Sequence, residues 1–191
     1  MDFSRQLILV NKSHPIDDEY TPDLCDIRYS DKKADKIIIH DLNNMLEDAR
    51  RMRYEIYVCS AYRSVEYQRK LFDNKVERLV SEGFDIPAAI ERASIEVMPP
   101  RYSEHHTGLA VDIVSENNSE LEISQEDTDE NKWLMENAHK YGFVLRYPKG
   151  KEDITGVTYE PWHFRYVGVY IAEYMYTKNY TLEEFLLETL L

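Results

Sequence analysis

The sequence predicts an α+β fold: one domain built on a central antiparallel β-sheet flanked by helices. Three observations carry that expectation. A strongly amphipathic helical pattern comes before the first clear strand. Short runs of β-branched and aromatic residues then alternate with helical segments over short connections. The chain has 191 residues, enough for one hydrophobic core without disulfide staples. The domain is expected to span 1–191, with an irregular lead-in over 1–35 and C-terminal helices over 168–191.

Taken in order, residues 11–35 are rich in turn formers, including Pro15, Pro22 and several Asp. From 36 to 53, Ile38, Leu42, Met45, Leu46 and Ala49 recur at helical spacing. "YEIYVCSAY" (54–62) has strand composition and no breaker. Ser64 is placed to cap a helix that carries Tyr67, Leu71, Val76, Leu79 and Val80 and ends at Gly83. Asp85 caps a second helix, 86–97, which stops before Pro99 and Pro100. "GLAVDIV" (108–114) is a strand. Residues 115–130 carry seven acids and no base, the composition of a solvated loop. Thr128 caps a helix over 129–141, closed by Gly142. "FVLRY" (143–147) is a strand, and "VTYE" and "HFRYV" are strand pieces kinked at Pro161. Helices over 169–178 and 182–190 complete the chain, with Thr181 and Glu184 forming a capping box.

The formal net charge of −13 argues against nucleic acid as a partner, because backbone binding needs clustered Lys and Arg. Fifteen tyrosines hint at a groove, since Tyr favours half-buried surfaces. Cys25 and Cys59 make neither a CxxC pair nor a disulfide framework. No stretch approaches the roughly 18 apolar residues of a membrane span. The N-terminus reads as neither signal peptide nor anchor, so the chain as it stands is expected in the cytoplasm, or at the cell surface if an anchor precedes it. Oligomeric state is not legible.

The stretch "YSEHHTGLAVDIV" (102–114) carries the chemistry. Strand periodicity puts Leu109, Val111 and Ile113 on a core face and Gly108, Ala110 and Asp112 on the other. Asp112 therefore stands beside two positions with almost no side chain, and a histidine of the preceding turn can fold over it. A catalytic zinc typically needs three protein ligands. "YEPWHFRY" (159–166) supplies the third in His163 and a carboxylate in Glu160, suited to act as general base. Two histidines and one aspartate would leave a Zn²⁺ centre with a net positive charge that polarises a carbonyl. Pro161 implies a kinked segment rather than a helix between Glu160 and His163. On these grounds either His105 or His106 can be the turn ligand. His14, His40 and His139 read as structural.

These residues resemble a known family. "SEHHTGLAVD" matches S-x-H-x-x-G-x-A-x-D and "EPWH" matches E-x-x-H, the two signatures of the zinc D-Ala-D-Ala metallopeptidases of the VanY, VanX and VanXY types. "SAYRS" (60–64) matches a third family element, S-x-x-R at a strand end, and "LVNKSHP" and "YGFVLRYP" are also similar. The resemblance implies a fold shared with the Hedgehog signalling domain. It implies one Zn²⁺ per chain held by His105, Asp112 and His163, with Glu160 as catalytic base and Arg63 facing the developing oxyanion. It places Ser103 at the substrate's terminal carboxylate, with Trp162 and Gln68 as further substrate contacts. The activity implied is removal of the C-terminal D-Ala from peptidoglycan stem peptides, with hydrolysis of the D-Ala-D-Ala dipeptide as a possible second activity. The alternatives are an L,D-carboxypeptidase acting on tetrapeptide stems and a zinc-containing module without catalysis, as in Hedgehog domains. The chain departs from many relatives in having Arg101-Tyr102 before Ser103, which is expected to narrow the mouth of the site or supply a second cation.

Overall fold

The apolar stripe of residues 36–53 folds as expected and organises the core. In the computed structural model, which describes residues 5–189, helix α1 (Lys36–Arg51) buries Ile38, Leu42, Met45, Leu46 and Ala49. The carboxylate of Asp35 accepts from Ile37 N and caps its first turn. These side chains pack on one face of a four-stranded antiparallel sheet of β3 (Ile56–Ser60), β4 (Ala110–Ser115), β5 (Phe143–Leu145) and β6 (His163–Tyr166), in the order β3-β4-β6-β5. Leu109, Val111, Ile113 and Phe164 are wholly buried against the helix. The period-two reading of the central strand thus holds, and the α+β architecture with it.

The helices for which the sequence offers a cap start where it predicts. Helix α2 (Val65–Ser81) begins after Ser64, α3 (Ile86–Glu96) after Asp85 and α4 (Asp129–Asn137) after Thr128. Helix α6 (Val169–Lys178) and α7 (Leu182–Thr189) follow β6. Thr181 and Glu184 exchange the two hydrogen bonds of a capping box. The expected reach of that helix to 190 falls outside the described residues.

Four expectations change. The lead-in contains a hairpin of β1 (Leu24–Asp26) and β2 (Lys33–Asp35), strands too short to give a periodic signal. The acidic 115–130 stretch is organised by Gln125, which is wholly buried, accepts from Ser115 N and donates to Asn118 O and Glu120 O. The 129–141 segment is α4 followed by a 3-10 turn at Ala138–Tyr141. Residues 157–160 form no strand; a short helix, α5 (Glu152–Thr155), precedes them, and Glu160 N donates to Tyr147 O. Among the described residues no helix is long and apolar enough to cross a membrane.

Candidate metal centre and substrate cleft

Asp112 sits mid-strand on the sheet face opposite α1. Its register partners are Ser60 of β3 and His163 of β6, so the three residues form a row across the sheet. His105 reaches the row from a 3-10 turn, Glu104–Thr107, that ends at Gly108. Gly108 has φ +71°, and a Cβ there would lie 2.8 Å from Asp35 N, which donates to the Gly108 carbonyl. Only glycine allows the turn to dock this closely on the start of α1.

The resulting cluster is tight and dry. His105, Asp112 and His163 are each at most 4% exposed, and one ligand atom from each lies within 4.8 Å of the others. His105 Nε2 is 3.2 Å from Asp112 Oδ2, and His163 Nδ1 is 3.2 Å from Asp112 Oδ1. The edge of a zinc tetrahedron with bonds near 2.0–2.1 Å is about 3.3–3.4 Å, so this spacing fits such an ion. Asp112 Oδ1 is buried and accepts no hydrogen bond, a deficit that a cation would remove.

Hydrogen bonds separate the two adjacent histidines. His105 Nδ1 donates to Ala61 O at 2.7 Å, which leaves the Nε2 lone pair facing Asp112. His106 Nε2 accepts from Arg101 N at 3.1 Å, and its Nδ1 therefore donates to Arg63 O at 2.7 Å. Both nitrogens of His106 are spent on backbone, so it offers no lone pair.

Electrostatics also call for a cation. Burial opposes the charged form of His163, but the Asp112 and Glu104 carboxylates outweigh it and raise its pKa to about 9. Without an ion, a proton on His163 takes the cation's place. Burial, reinforced by Arg63, pushes His105 down to about 4, so its approach to Asp112 is that of a neutral ligand. Asp112 is buried, yet the His163 imidazolium and the Arg63 guanidinium hold it well below the usual carboxylate range.

Glu160 lies one tight turn before His163, whose N–H donates to the Glu160 carbonyl. Its Oε2 is 3.6 Å from His163 Nδ1. Burial, with Asp112 adding to it, raises Glu160 to about 7, where a carboxylate can both take and return a proton. Arg63 donates through Nη2 to Asp112 Oδ2 at 2.6 Å, through Nε to Ser60 Oγ at 2.8 Å and through Nη1 to Gln68 Oε1 at 3.4 Å. Gln68 is itself buried and donates to Met98 O at 2.7 Å. Ser103 is buried and makes no capping hydrogen bond. Trp162 is half-buried. Arg63, Gln68, Ser103, Glu160 and Trp162 all line one cleft of about 970 Å³.

The structure therefore brings together every residue expected at the site. Arg101 is the exception to the sequence reading: it does not line the cleft, and its guanidinium turns away to Ile16 O and Asp18. Cys59 and Cys25 are both free thiols. Burial and Asp112 push Cys59 up to about 12, which leaves it unreactive beside the His–Asp–His cluster. The residue missed from sequence is Glu104, wholly buried behind His163. A signal for it existed. Arg165 lies two residues after His163, hence on the same strand face, and a buried cation there requires a carboxylate.

A family model described as "VanY: D-alanyl-D-alanine carboxypeptidase" matches residues 31–169. YodJ of Bacillus subtilis is 40% identical over 189 residues, covering 94% of this chain and 66% of that protein. Among solved structures, vancomycin resistance D,D-pentapeptidase VanY from a VanB-type cassette, a mutant in complex with Zn(II), is 36% identical with a TM-score of 0.85. The match covers 95% of this chain and 99% of that one. The LdcB LD-carboxypeptidase is 38% identical with a TM-score of 0.81, covering 93% and 84%. The chain spans just under two thirds of the length of the first curated relatives it matches.

Proposed function

Because the chain belongs to the VanY family of D-alanyl-D-alanine carboxypeptidases, we propose that it is a zinc-dependent D,D-carboxypeptidase that removes the terminal D-Ala from peptidoglycan stem peptides. The observation that carries this reading is the row of Asp112 and His163 across β4 and β6, with His105 folded over it and Glu160 3.6 Å from His163 Nδ1. His105 Nε2, Asp112 and His163 Nδ1 would hold one zinc per chain. When bound, zinc supplies a Lewis acid for the scissile carbonyl and a water of lowered pKa.

The chain's own residues do the rest. Glu160 takes the proton of the attacking water and returns it to the leaving amine. Arg63, held by Ser60 and Gln68, presents a fixed planar cation to the carbonyl oxygen as it gains negative charge. Ser103 donates to the C-terminal carboxylate of the departing residue. Trp162 walls the cleft, and Gln68 acts by holding Arg63 rather than by reading substrate. Hydrolysis of the free D-Ala-D-Ala dipeptide is compatible with the same machinery.

A second reading, L,D-carboxypeptidase action on tetrapeptide stems, is favoured by the likeness to LdcB. Digestion of synthetic stem peptides of defined stereochemistry, with mass analysis of the products, separates the two. Loss of one D-Ala from the pentapeptide, with the tetrapeptide left intact, is expected. Cleavage of the tetrapeptide alone would replace the first reading by the second. Products unchanged after chelation of metal would remove zinc from both.

A further inference from the structure

Behind His163 lies a buried carboxylate that the catalytic reading does not use. Glu104 Oε1 accepts from Arg146 Nε at 2.8 Å and from Arg165 Nη1 at 2.7 Å. Its Oε2 has no hydrogen-bond partner and lies 3.6 Å from His163 Nε2, which has none either. The arginines are themselves fixed. Arg146 is clamped by both oxygens of Glu183 in α7, at 2.8 and 2.6 Å. Arg165 Nη2 donates to the carbonyls of Gln6 and Ile8 at 2.9 and 2.8 Å. Two carboxylates against two guanidiniums leave no net charge buried in the network. With both cations on Oε1, the other oxygen is free to face the imidazole.

A neutral imidazole has a lone pair on only one nitrogen. A carboxylate at Nε2 favours the tautomer protonated there and leaves the Nδ1 lone pair toward Asp112 and Glu160, at 3.2 and 3.6 Å. His105 obtains the equivalent selection from the Ala61 carbonyl. We propose that Glu104 is a positioning residue of the metal centre: it sets the tautomer and ring direction of His163, and Arg146 and Arg165, anchored by Glu183 of α7 and by the Gln6 and Ile8 carbonyls, aim it. Neither α7 nor the Gln6–Ile8 segment lines the cleft, so both act on the centre only through this network. The inference rests on the zinc reading above.

The test compares the wild type, Glu104→Gln and Glu104→Asp. Zinc affinity is measured by chelator competition, and the His163 ring proton by NMR of the ¹⁵N-labelled, zinc-loaded protein. Wild type is expected to bind one zinc and show the proton on His163 Nε2. Glu104→Gln removes the anionic acceptor. Glu104→Asp keeps the charge that neutralises the arginines but withdraws it from the ring by one methylene. Both are expected to lower zinc affinity roughly 10–100-fold and to shift the ring-proton resonance. Should Glu104→Gln fail to fold, Glu104→Asp decides alone. If Glu104 serves only to neutralise Arg146 and Arg165, the aspartate restores wild-type affinity and leaves the resonance in place, which overturns the proposal while the zinc reading stands. A wild type that binds no zinc overturns both.

Discussion

The sheet face that carries Asp112 and the α2–α3 hairpin wall the same cleft, but different physics holds them. On the sheet, Asp112 and His163 are fixed by strand pairing, His105 by the Ala61 carbonyl, and the layer beneath is the main core with α1. The hairpin has a small core of its own, Leu79, Ala89 and Ala93, with Phe72 and Val76 half-buried around it. It leaves Val80, Phe84, Ile86, Ile90 and Ile95 substantially exposed. Gln68 ties α2 to the centre, bonding both Arg63 and Met98 O. Asp112 and His163 thus stand on paired strands, and the opposite wall on an element with little buried apolar surface and so a lower cost of local opening. Chemistry and substrate fit should respond to different mutations.

The largest effect expected on the chemical side is that of Glu160→Ala. Loss of a positioned acid–base group should cost roughly 10²–10⁴-fold in kcat while zinc content stays unchanged. Zinc loss from a folded variant would instead make Glu160 a ligand.

A milder test uses the proton that stands in for the metal on His163. Its raised pKa means that zinc uptake must displace one proton at any pH below about 9. His105, pushed down to about 4, and Asp112, held low, contribute none near neutrality. Glu160, raised to about 7, is half protonated there and adds up to about half a proton when a dication binds beside it. The apparent zinc association constant should therefore rise at least about tenfold per pH unit from pH 7 and level off above about 9. Calorimetry in buffers of different ionisation enthalpy should record about 1–1.5 protons released per zinc near pH 7; no release would contradict the placement of His163.

The smallest effect should come from the hairpin. Leu79 is 4% exposed, and Leu79→Ala should destabilise its small core by about 2–5 kcal/mol. KM is expected to rise several-fold with zinc affinity unchanged and kcat little affected. An equal fall in zinc affinity would show that the two regions are one mechanical unit and erase the contrast.

The same contrast explains what could be read from sequence. Asp112 was legible because a strand's period of two separates a core face from a site face, and Leu109, Val111 and Ile113 mark the core. Ser64, Asp85 and Thr128 were legible because capping is local chemistry. The choice between His105 and His106 was not, because neighbours in one turn differ only in partners distant in the chain: Ala61 for one, Arg63 for the other. Arg165 calls for a buried carboxylate, but not for Glu104 in particular, because its arginines lie 42 and 61 residues away. Gln68 reads as an ordinary helix-surface residue until α2 is seen to lie against the site.

The cleft is predicted to read a free C-terminus. Ser103 is buried at the cleft wall with no capping bond to occupy its hydroxyl, so it would be free to donate to the terminal carboxylate of the proposed substrate. A charge-assisted hydrogen bond contributes about 1.5–3 kcal/mol, or roughly 10–150-fold in kcat/KM. The most direct measurement is kcat/KM for a D-Ala-D-Ala-terminated pentapeptide and for its C-terminal amide. The free acid is predicted to be cleaved at least tenfold more efficiently, on the same scale, with Ser103→Ala narrowing the gap. Equal cleavage of acid and amide by the wild type would make the enzyme an endopeptidase and contradict the account.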